Sequence, residues 1–353
     1  MQQETSHLID ARRQALAEAM TARQYAMVPE LEARYGERGR VKCVQDALFH
    51  LSYLSQSVAA ERPALFADYV AWAKVMLAGR GIPPEDLAVN LACMRAALEQ
   101  ELPAEMAALA CAYVEAGETN LPRMASTVGS FIIDGEPLSE LARDYLGALL
   151  AGERQRASRM ILEAVEAGAS VRDVYLQVFQ RAQYEIGRLW QMNLINVAQE
   201  HYCTAATQLV MSQLYPRVFN GEKNGRRLVA TCVGGDLHEI GVRMVSDLFE
   251  MDGWDTFYLG ANTPASSIIQ ALATQRADIL AVSATISTYV NDVARLIGEV
   301  RRAKEVAGVR ILVGGYPFNI ATDLWQQVGA DSCAANAVDA VNVANRMLGE
   351  GKL

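Results

Sequence analysis

Histidine is scarce in this chain: four among 353 residues, at positions 7, 50, 201 and 238. Any imidazole chemistry has to draw on these. Paired cysteines are missing as well. The six cysteines, Cys43, Cys93, Cys111, Cys203, Cys232 and Cys333, show no Cys-x-x-Cys spacing, which disfavours a zinc site or a disulfide framework and leaves them as small buried hydrophobes. No apolar run approaches the roughly 18 residues of a membrane span, and residues 1–13 are polar and mixed in charge, unlike a signal segment. A cytoplasmic protein with no membrane contact is expected. Lys and Arg form no cluster and the net charge is −9, which argues against a nucleic-acid surface. Internal repeats, a phosphate loop, paired carboxylates and a nucleophile with its base are also lacking. The length predicts two or three domains with ample core.

Against this background one stretch stands out: Val233-Gly234-Gly235-Asp236-Leu237-His238-Glu239-Ile240-Gly241. It follows an apolar run at 228–232 and precedes an amphipathic run at 242–251, so it belongs on the carboxyl-end loop between a strand and a helix, where open α/β sheets bind ligands. An Asp two residues before a His suits a metal ligand, because one ring nitrogen can coordinate while the other donates to the carboxylate. The bland alternative is a loop His hydrogen-bonded to its neighbour. Further strands are predicted at 256–259, 279–282 and 311–313. They end in Gly260-Ala261-Asn262-Thr263-Pro264, in Ser283-Ala284-Thr285 and in Gly314-Gly315. Each stops in small or hydroxyl residues on one edge of the sheet.

Upstream, residues 1–121 read as nearly all helix, with helical spacing over 8–34, 41–58, 64–78, 84–100 and 104–116. Residues 122–137 form a linker, within a Gly- and Pro-rich break over 117–137. Residues 138–220 predict a four-helix bundle whose third helix opens on Ser170 and Asp173 and lines up Val171, Val174, Val178, Ala182, Ile186 and Trp190 on one stripe. A polar hinge at 220–225 leads to an α/β domain over 225–353. The fold class expected is multidomain: an all-α globin- or phycobilin-like domain, a four-helix-bundle cap and a flavodoxin-like doubly wound parallel sheet.

The carboxyl-terminal pattern resembles the cobalamin-binding domain, with its Asp-x-His-x-x-Gly, Ser-x-Leu and Gly-Gly elements; Thr285 stands in place of the Leu. The resemblance implies His238 as lower axial cobalt ligand and Asp236 as the partner of that His. It also implies Gly241, Ser283, Thr285, Gly314 and Gly315 as the lining of the slot for the cofactor's nucleotide tail. Trp190 and Glu200-His201, with nine residues between them, read alone as a Trp closing a bundle and a polar pair on its solvated face. Beside a cobalamin domain they resemble the cap motif of the CarH-type and LitR-type photoreceptors, which implies that Trp190, Glu200 and His201 enclose the adenosyl group of adenosylcobalamin. Gln191 departs from that family, where a His follows the Trp and takes the vacated cobalt position after light; His201 or water would have to fill it here.

Cys43, Asp46, Leu51 and Tyr53, with Gly81-Ile82-Pro83 and Met94 beyond them, resemble the chromophore helix of phycobiliproteins, with Gln45 replacing that family's Arg. This implies a biliverdin near Cys43, its pyrrole N–H groups on Asp46 and its propionates on Lys42, Arg38 or Arg40. The alternative is a ligand-free globin-like domain with Cys43 in the core. The whole chain resembles the photocobilins, standing alone without the DNA-binding module of the photoreceptors. The leading expectation is therefore a cobalamin-dependent light sensor and not an enzyme, homodimeric, with adenosylcobalamin and biliverdin as chromophores and an unidentified protein partner downstream. Two alternatives stand beside it: a corrinoid methyl-carrier protein feeding a methyltransferase, which needs an open upper face that a lid of Trp190 with Glu200-His201 argues against, and a cobalamin-responsive regulator working in the dark.

Overall fold

The computed structural model describes residues 1–219 and 222–349; Asn220 and Gly221 of the polar hinge lie outside them. The chain divides into two compact units: one of residues 1–126, 286–294 and 316–328, the other of residues 127–285, 295–315 and 329–353.

The first unit is helical: α1 Gln2–Ala11, α2 Arg13–Met27, α3 Glu30–Ala59, α4 Pro63–Gly79, α5 Pro84–Glu101 and α6 Ala104–Asn120. The single helix predicted over 8–34 is broken twice. Arg12 caps α1 and also starts α2, and Pro29, which has no N–H to donate, opens α3. Helix α3 kinks at Gly36, where φ is 60°, a backbone state that costs a glycine least. The core gathers Leu16, Met20, Leu51, Leu54, Phe66, Leu91 and Met94, all with no exposed surface. The segments 286–294 and 316–328 join this unit through Asn291, which donates to Gln56 (2.6 Å), Tyr316, which donates to Asp68 (2.9 Å), and Arg62, which pairs with both carboxylate oxygens of Asp323 (2.7 and 3.1 Å).

Inside it, His50 Nδ1 lies 2.7 Å from the Tyr69 hydroxyl, and Tyr69 stacks on Tyr53 with ring centroids 3.7 Å apart. Burial pushes the imidazole down to about 4, so the unfolded chain takes up a proton below 6.5 that the folded one refuses. His50 thus favours folding above pH 6.5, and that contribution is lost as pH falls toward 4, by roughly 3 kcal/mol. Urea unfolding at pH 7 and pH 4.5 is expected to show this drop, and His50→Gln to remove much of it; an unchanged slope in that variant would assign the acid sensitivity elsewhere.

In the second unit, helices α7 Ser139–Leu150, α8 Arg154–Glu166, α9 Gln180–Gln191 and α10 Val197–Gln213 form the bundle. Leading into α9 are one turn, Val171–Asp173, capped by the Ser170 side chain, and a π-helical stretch, Val174–Phe179. The π stretch inserts a residue into the helical repeat, so Tyr175 and Phe179 join Val174 and Val178 among the buried side chains. Helix α10 starts in a capping box of Asn196 and Gln199.

The same unit holds, among the described residues, a five-stranded parallel sheet in the order β2-β1-β3-β4-β5. The strands are β1 Arg227–Cys232, β2 Asp255–Gly260, β3 Ile279–Ser283, β4 Arg310–Gly314 and β5 Ser332–Ala334. Buried on both faces, β1, β3 and β4 are continuous Val, Leu, Ile and Ala runs. Helices α11 Ile240–Met251, α12 Ala265–Gln275, α13 Val290–Arg302 and α14 Ala337–Met347 alternate with them. This is the flavodoxin-like strand order, which reverses between β1 and β3. Mostly helix with a parallel sheet was the expected class; a globin or phycobilin identity for the first unit was the finer expectation. Among the described residues no helix is long and apolar enough to cross a membrane.

Candidate functional site

The reversal between β1 and β3 opens a crevice at the carboxyl ends of those strands, and the loop after β1 occupies it. Val233 N–H donates to the Ser283 carbonyl (2.9 Å), which extends the pairing one residue past β1 and brings the loops after β1 and β3 together. Asp236 is fully buried in the crevice. One of its oxygens accepts from His238 Nδ1 (2.7 Å) and from the His238 backbone N–H (3.0 Å); the other accepts from Thr285 N–H (2.6 Å). Burial alone would raise this carboxyl, but the donors from His238 and Thr285 outweigh it and hold it below the usual carboxylate range. Asp236 is therefore an anion that can only accept. That puts the ring proton of His238 on Nδ1 and leaves Nε2 as the coordinating atom. The hydrogen bond to Asp236 raises the basicity of His238 against the opposing effect of burial, while the side chain stays 55% exposed.

The rest of the loop is also pinned. Gly235 N–H donates to the Asn262 side chain (3.0 Å), and Glu239 accepts from Ala261 N–H (3.2 Å) and from Gln208 (3.1 Å) of the bundle. Asn262, Glu239 and the Thr285 amide went unnoticed in the sequence as parts of the site. Asn262 has φ of 56°, a left-handed state for which Asn is suited, and that was the one available signal.

A corrinoid brings four ring nitrogens of its own and asks the protein for a single donor. His238 fits that demand: among the described residues no group of three or more His, Cys, Asp and Glu could hold a bare metal ion. Gly241 fits too, since a Cβ there would meet nothing within 4 Å and the chain's own packing leaves the space open. Gly315 is required differently. With φ of +105°, an added Cβ would come 1.9 Å from the Ala284 carbonyl oxygen, so the close approach of the two loops excludes a side chain. Gly314 is tight against the Ala334 carbonyl (3.2 Å), and Ser283 and Thr285 are half-buried on the β3 loop.

At the end of the bundle, Trp190 is half-buried in the last turn of α9 and Gln191 is buried beside it. Glu200, near the start of α10, accepts from Thr204 (3.2 Å) and is bonded to His201 Nδ1. Its negative charge reaches His238 and adds to that ring's basicity. The His201 side chain is 75% exposed.

In the first unit, the Cys43 thiol is half-buried and donates to Gln24 (3.1 Å), which also accepts from Asn90 (2.7 Å). Burial raises the thiol, which disfavours the thiolate that attachment of a bilin would need. Asp46 is likewise raised by burial, opposed by Lys42 and Arg80.

Comparison with known proteins bears on the bundle and the sheet. Residues 226–344 match the B12 binding domain, and residues 141–215 match a second model of the same description. A corrinoid protein of Desulfitobacterium hafniense is 24% identical over 209 residues, 58% of this chain and 95% of that protein. The dimethylamine corrinoid protein of Methanosarcina barkeri is 28% identical over 167 residues, covering 47% and 75%. Monomethylamine corrinoid protein 2 of Methanosarcina mazei is 25% identical over 213 residues, covering 58% and 96%. The solved monomethylamine corrinoid protein of Methanosarcina barkeri shares the fold, with a TM-score of 0.54 and 21% identity, over 60% of this chain and 100% of that one.

These matches overturn the photoreceptor and photocobilin resemblance, and with it the light sensor, its biliverdin and its signalling role, while the cobalamin-binding reading of the carboxyl-terminal domain stands. The bundle followed by an Asp-x-His-x-x-Gly sheet is common to carriers and sensors, so it could not choose between them. The phycobiliprotein pattern rested on a few helical positions, of which Cys43 serves the polar interior of the first unit. By bundle and sheet together, this chain resembles the corrinoid proteins named for monomethylamine and dimethylamine.

Proposed function

We propose that the chain carries a corrinoid in a methyl-transfer system, presenting the cofactor to partner methyltransferases without being the methyltransferase. The observation that carries this reading is the buried Asp236 anion bonded to Nδ1 of an exposed His238 at the sheet's switch point. A bound corrinoid would supply a cobalt centre able to accept and release a methyl group. His238 would hold the cobalt, and Asp236 fixes the ring that does so. Because Asp236 also accepts from Thr285 N–H, the β3 loop is tied to the residue that orients His238. Gly241, Ser283, Thr285, Gly314 and Gly315 are the proposed lining for the nucleotide tail. Trp190, Glu200 and His201 at the bundle end are the proposed contacts on the cofactor's other side.

The test is loading with hydroxocobalamin, desalting, and counting corrinoid per chain by absorbance. The reduced, loaded protein is then methylated with methyl iodide and offered to a thiol together with a corrinoid:thiol methyltransferase. One corrinoid per chain and methyl transfer to the thiol are expected. A chain that loads but never yields its methyl group would not be a carrier.

A further inference from the structure

Helix α11 starts directly after the His238 loop, and Glu239, Arg243 and Asp247 mark one stripe along it at i, i+4 and i+8. Every member is bonded to the bundle. Gln208 donates to Glu239 (3.1 Å); Arg243 donates to Ser212 (2.7 Å) and to the Tyr215 hydroxyl (3.1 Å); Tyr175 donates to Asp247 (2.8 Å). The bundle answers in kind, since Gln208, Ser212 and Tyr215 follow one another at i, i+4 and i+7. Tyr175 comes from the π-helical stretch, which turns it into this contact.

Two features make the contact costly to keep closed. Arg243 Nε is buried without a partner, and opening would give it to water. Asp247 is also buried, so its ionised form would gain solvation by leaving. Polar, imperfectly satisfied interfaces between domains are the ones that move.

We propose that this stripe is a releasable latch between the bundle and the helix that follows the cobalt-ligand loop, and that protonation of Asp247 tightens it. The proposal rests on the carrier reading for its purpose, since a carrier has to expose its cofactor to a partner and cover it again.

The direction follows from linkage. Burial, against the Tyr175 hydrogen bond and the Arg243 charge, puts the Asp247 carboxyl up at about 6 in the closed arrangement. The groups acting on it are Tyr175 from the bundle and Arg243 and Glu250 from its own helix. Arg172 of the bundle borders the far end of α11 beside Met251 and Asp252. The strands and α14, packed on the other side, contribute buried apolar side chains such as Leu228, Ala230, Val341 and Ala344. An opened Asp247 returns toward the ordinary carboxylate value, so the closed state binds the proton more tightly. Closure is strongest below that ordinary value and weakens as pH rises through 6, by up to about 100-fold.

The experiment is hydrogen exchange of α9 and α10 amides in the full chain, with and without hydroxocobalamin, at pH 5 and pH 8, corrected for intrinsic exchange. Opening is expected to rise about tenfold from pH 5 to pH 8, since at pH 5 the closed state is mostly protonated and the open one is not. Asp247→Asn should abolish that dependence, and Tyr175→Phe should raise opening at pH 8, circular dichroism confirming that both variants fold. Equal protection at the two pH values, or a dependence that survives in Asp247→Asn, would overturn the latch. Corrinoid uptake in the same samples reports separately on the carrier reading, because the exchange result without cofactor does not depend on it.

Discussion

His238→Ala should release the corrinoid during desalting, or retain it with the lower cobalt position no longer occupied by imidazole. The argument is geometric. Of the four histidines, His7 lies in α1, His50 is buried against Tyr69, and His201 is bonded to Glu200 on the bundle. Only His238 combines exposure with an Nδ1 held by a buried anion at the crevice of an open sheet. The decisive readout is electron paramagnetic resonance of the loaded, one-electron-reduced protein grown on ¹⁵N-histidine. A nitrogen splitting that changes from triplet to doublet is expected in the wild type and should be absent in His238→Ala. If the splitting persists in the variant, another residue is the ligand.

Asp236→Asn offers the graded control. An amide keeps the shape but can no longer act as an anion toward both ring and backbone, and loss of such a partner costs roughly 10- to 100-fold in metal affinity. A much larger loss would point to collapse of the loop, since Asp236 also holds Thr285 N–H.

Gly315→Ala should be the most damaging single methyl group that can be added to the sheet's ligand edge. The new Cβ would lie 1.9 Å from the Ala284 oxygen and 2.7 Å from its carbonyl carbon. Both are backbone atoms, so no rotamer change relieves the clash. Ala284 cannot retreat, because its N–H donates to the Gly314 carbonyl (3.1 Å). The φ of +105° adds a conformational penalty for any residue with a Cβ. Together the two effects amount to about 3 to 5 kcal/mol, measured by urea unfolding of the second unit's transition. Gly241→Ala, where a Cβ meets nothing within 4 Å, should by contrast leave stability within about 0.5 kcal/mol. It should weaken corrinoid binding if the cofactor uses that space. Equal stability of Gly315→Ala and wild type would show that the loop yields more easily than its hydrogen bonds suggest.

How much of this was legible in the chain differs from element to element. β1, β3 and β4 announced themselves as continuous apolar runs because both of their faces are buried. β5, Ser332–Ala334, has no such run; pairing with β4 and cover from α14 make it a strand. The π-helical stretch left no mark either, since the stripe of Val174, Val178, Ala182 and Ile186 reads as an unbroken helix. Only packing shows that Tyr175 and Phe179 also turn inward. Spacing is silent in the same way about Trp190, Glu200 and His201: they are near in number, which says nothing about whether the bundle end is closed.

From the sequence alone follow the layers of the second unit, the loop that bears Asp236 and His238, and a crevice beyond the strand ends, because periodicity and small-residue loops are local properties of a chain. What needed the tertiary structure is everything that depends on residues far apart in number: the Asp236–Thr285 bond that ties two loops together, the clash that makes Gly315 a glycine, and the Tyr175–Asp247 contact between bundle and sheet. Such pairs carry no period and no fixed spacing. They exist because folding removes them from water together, and a lone Asp or Tyr reads the same in the sequence whether or not its partner is there.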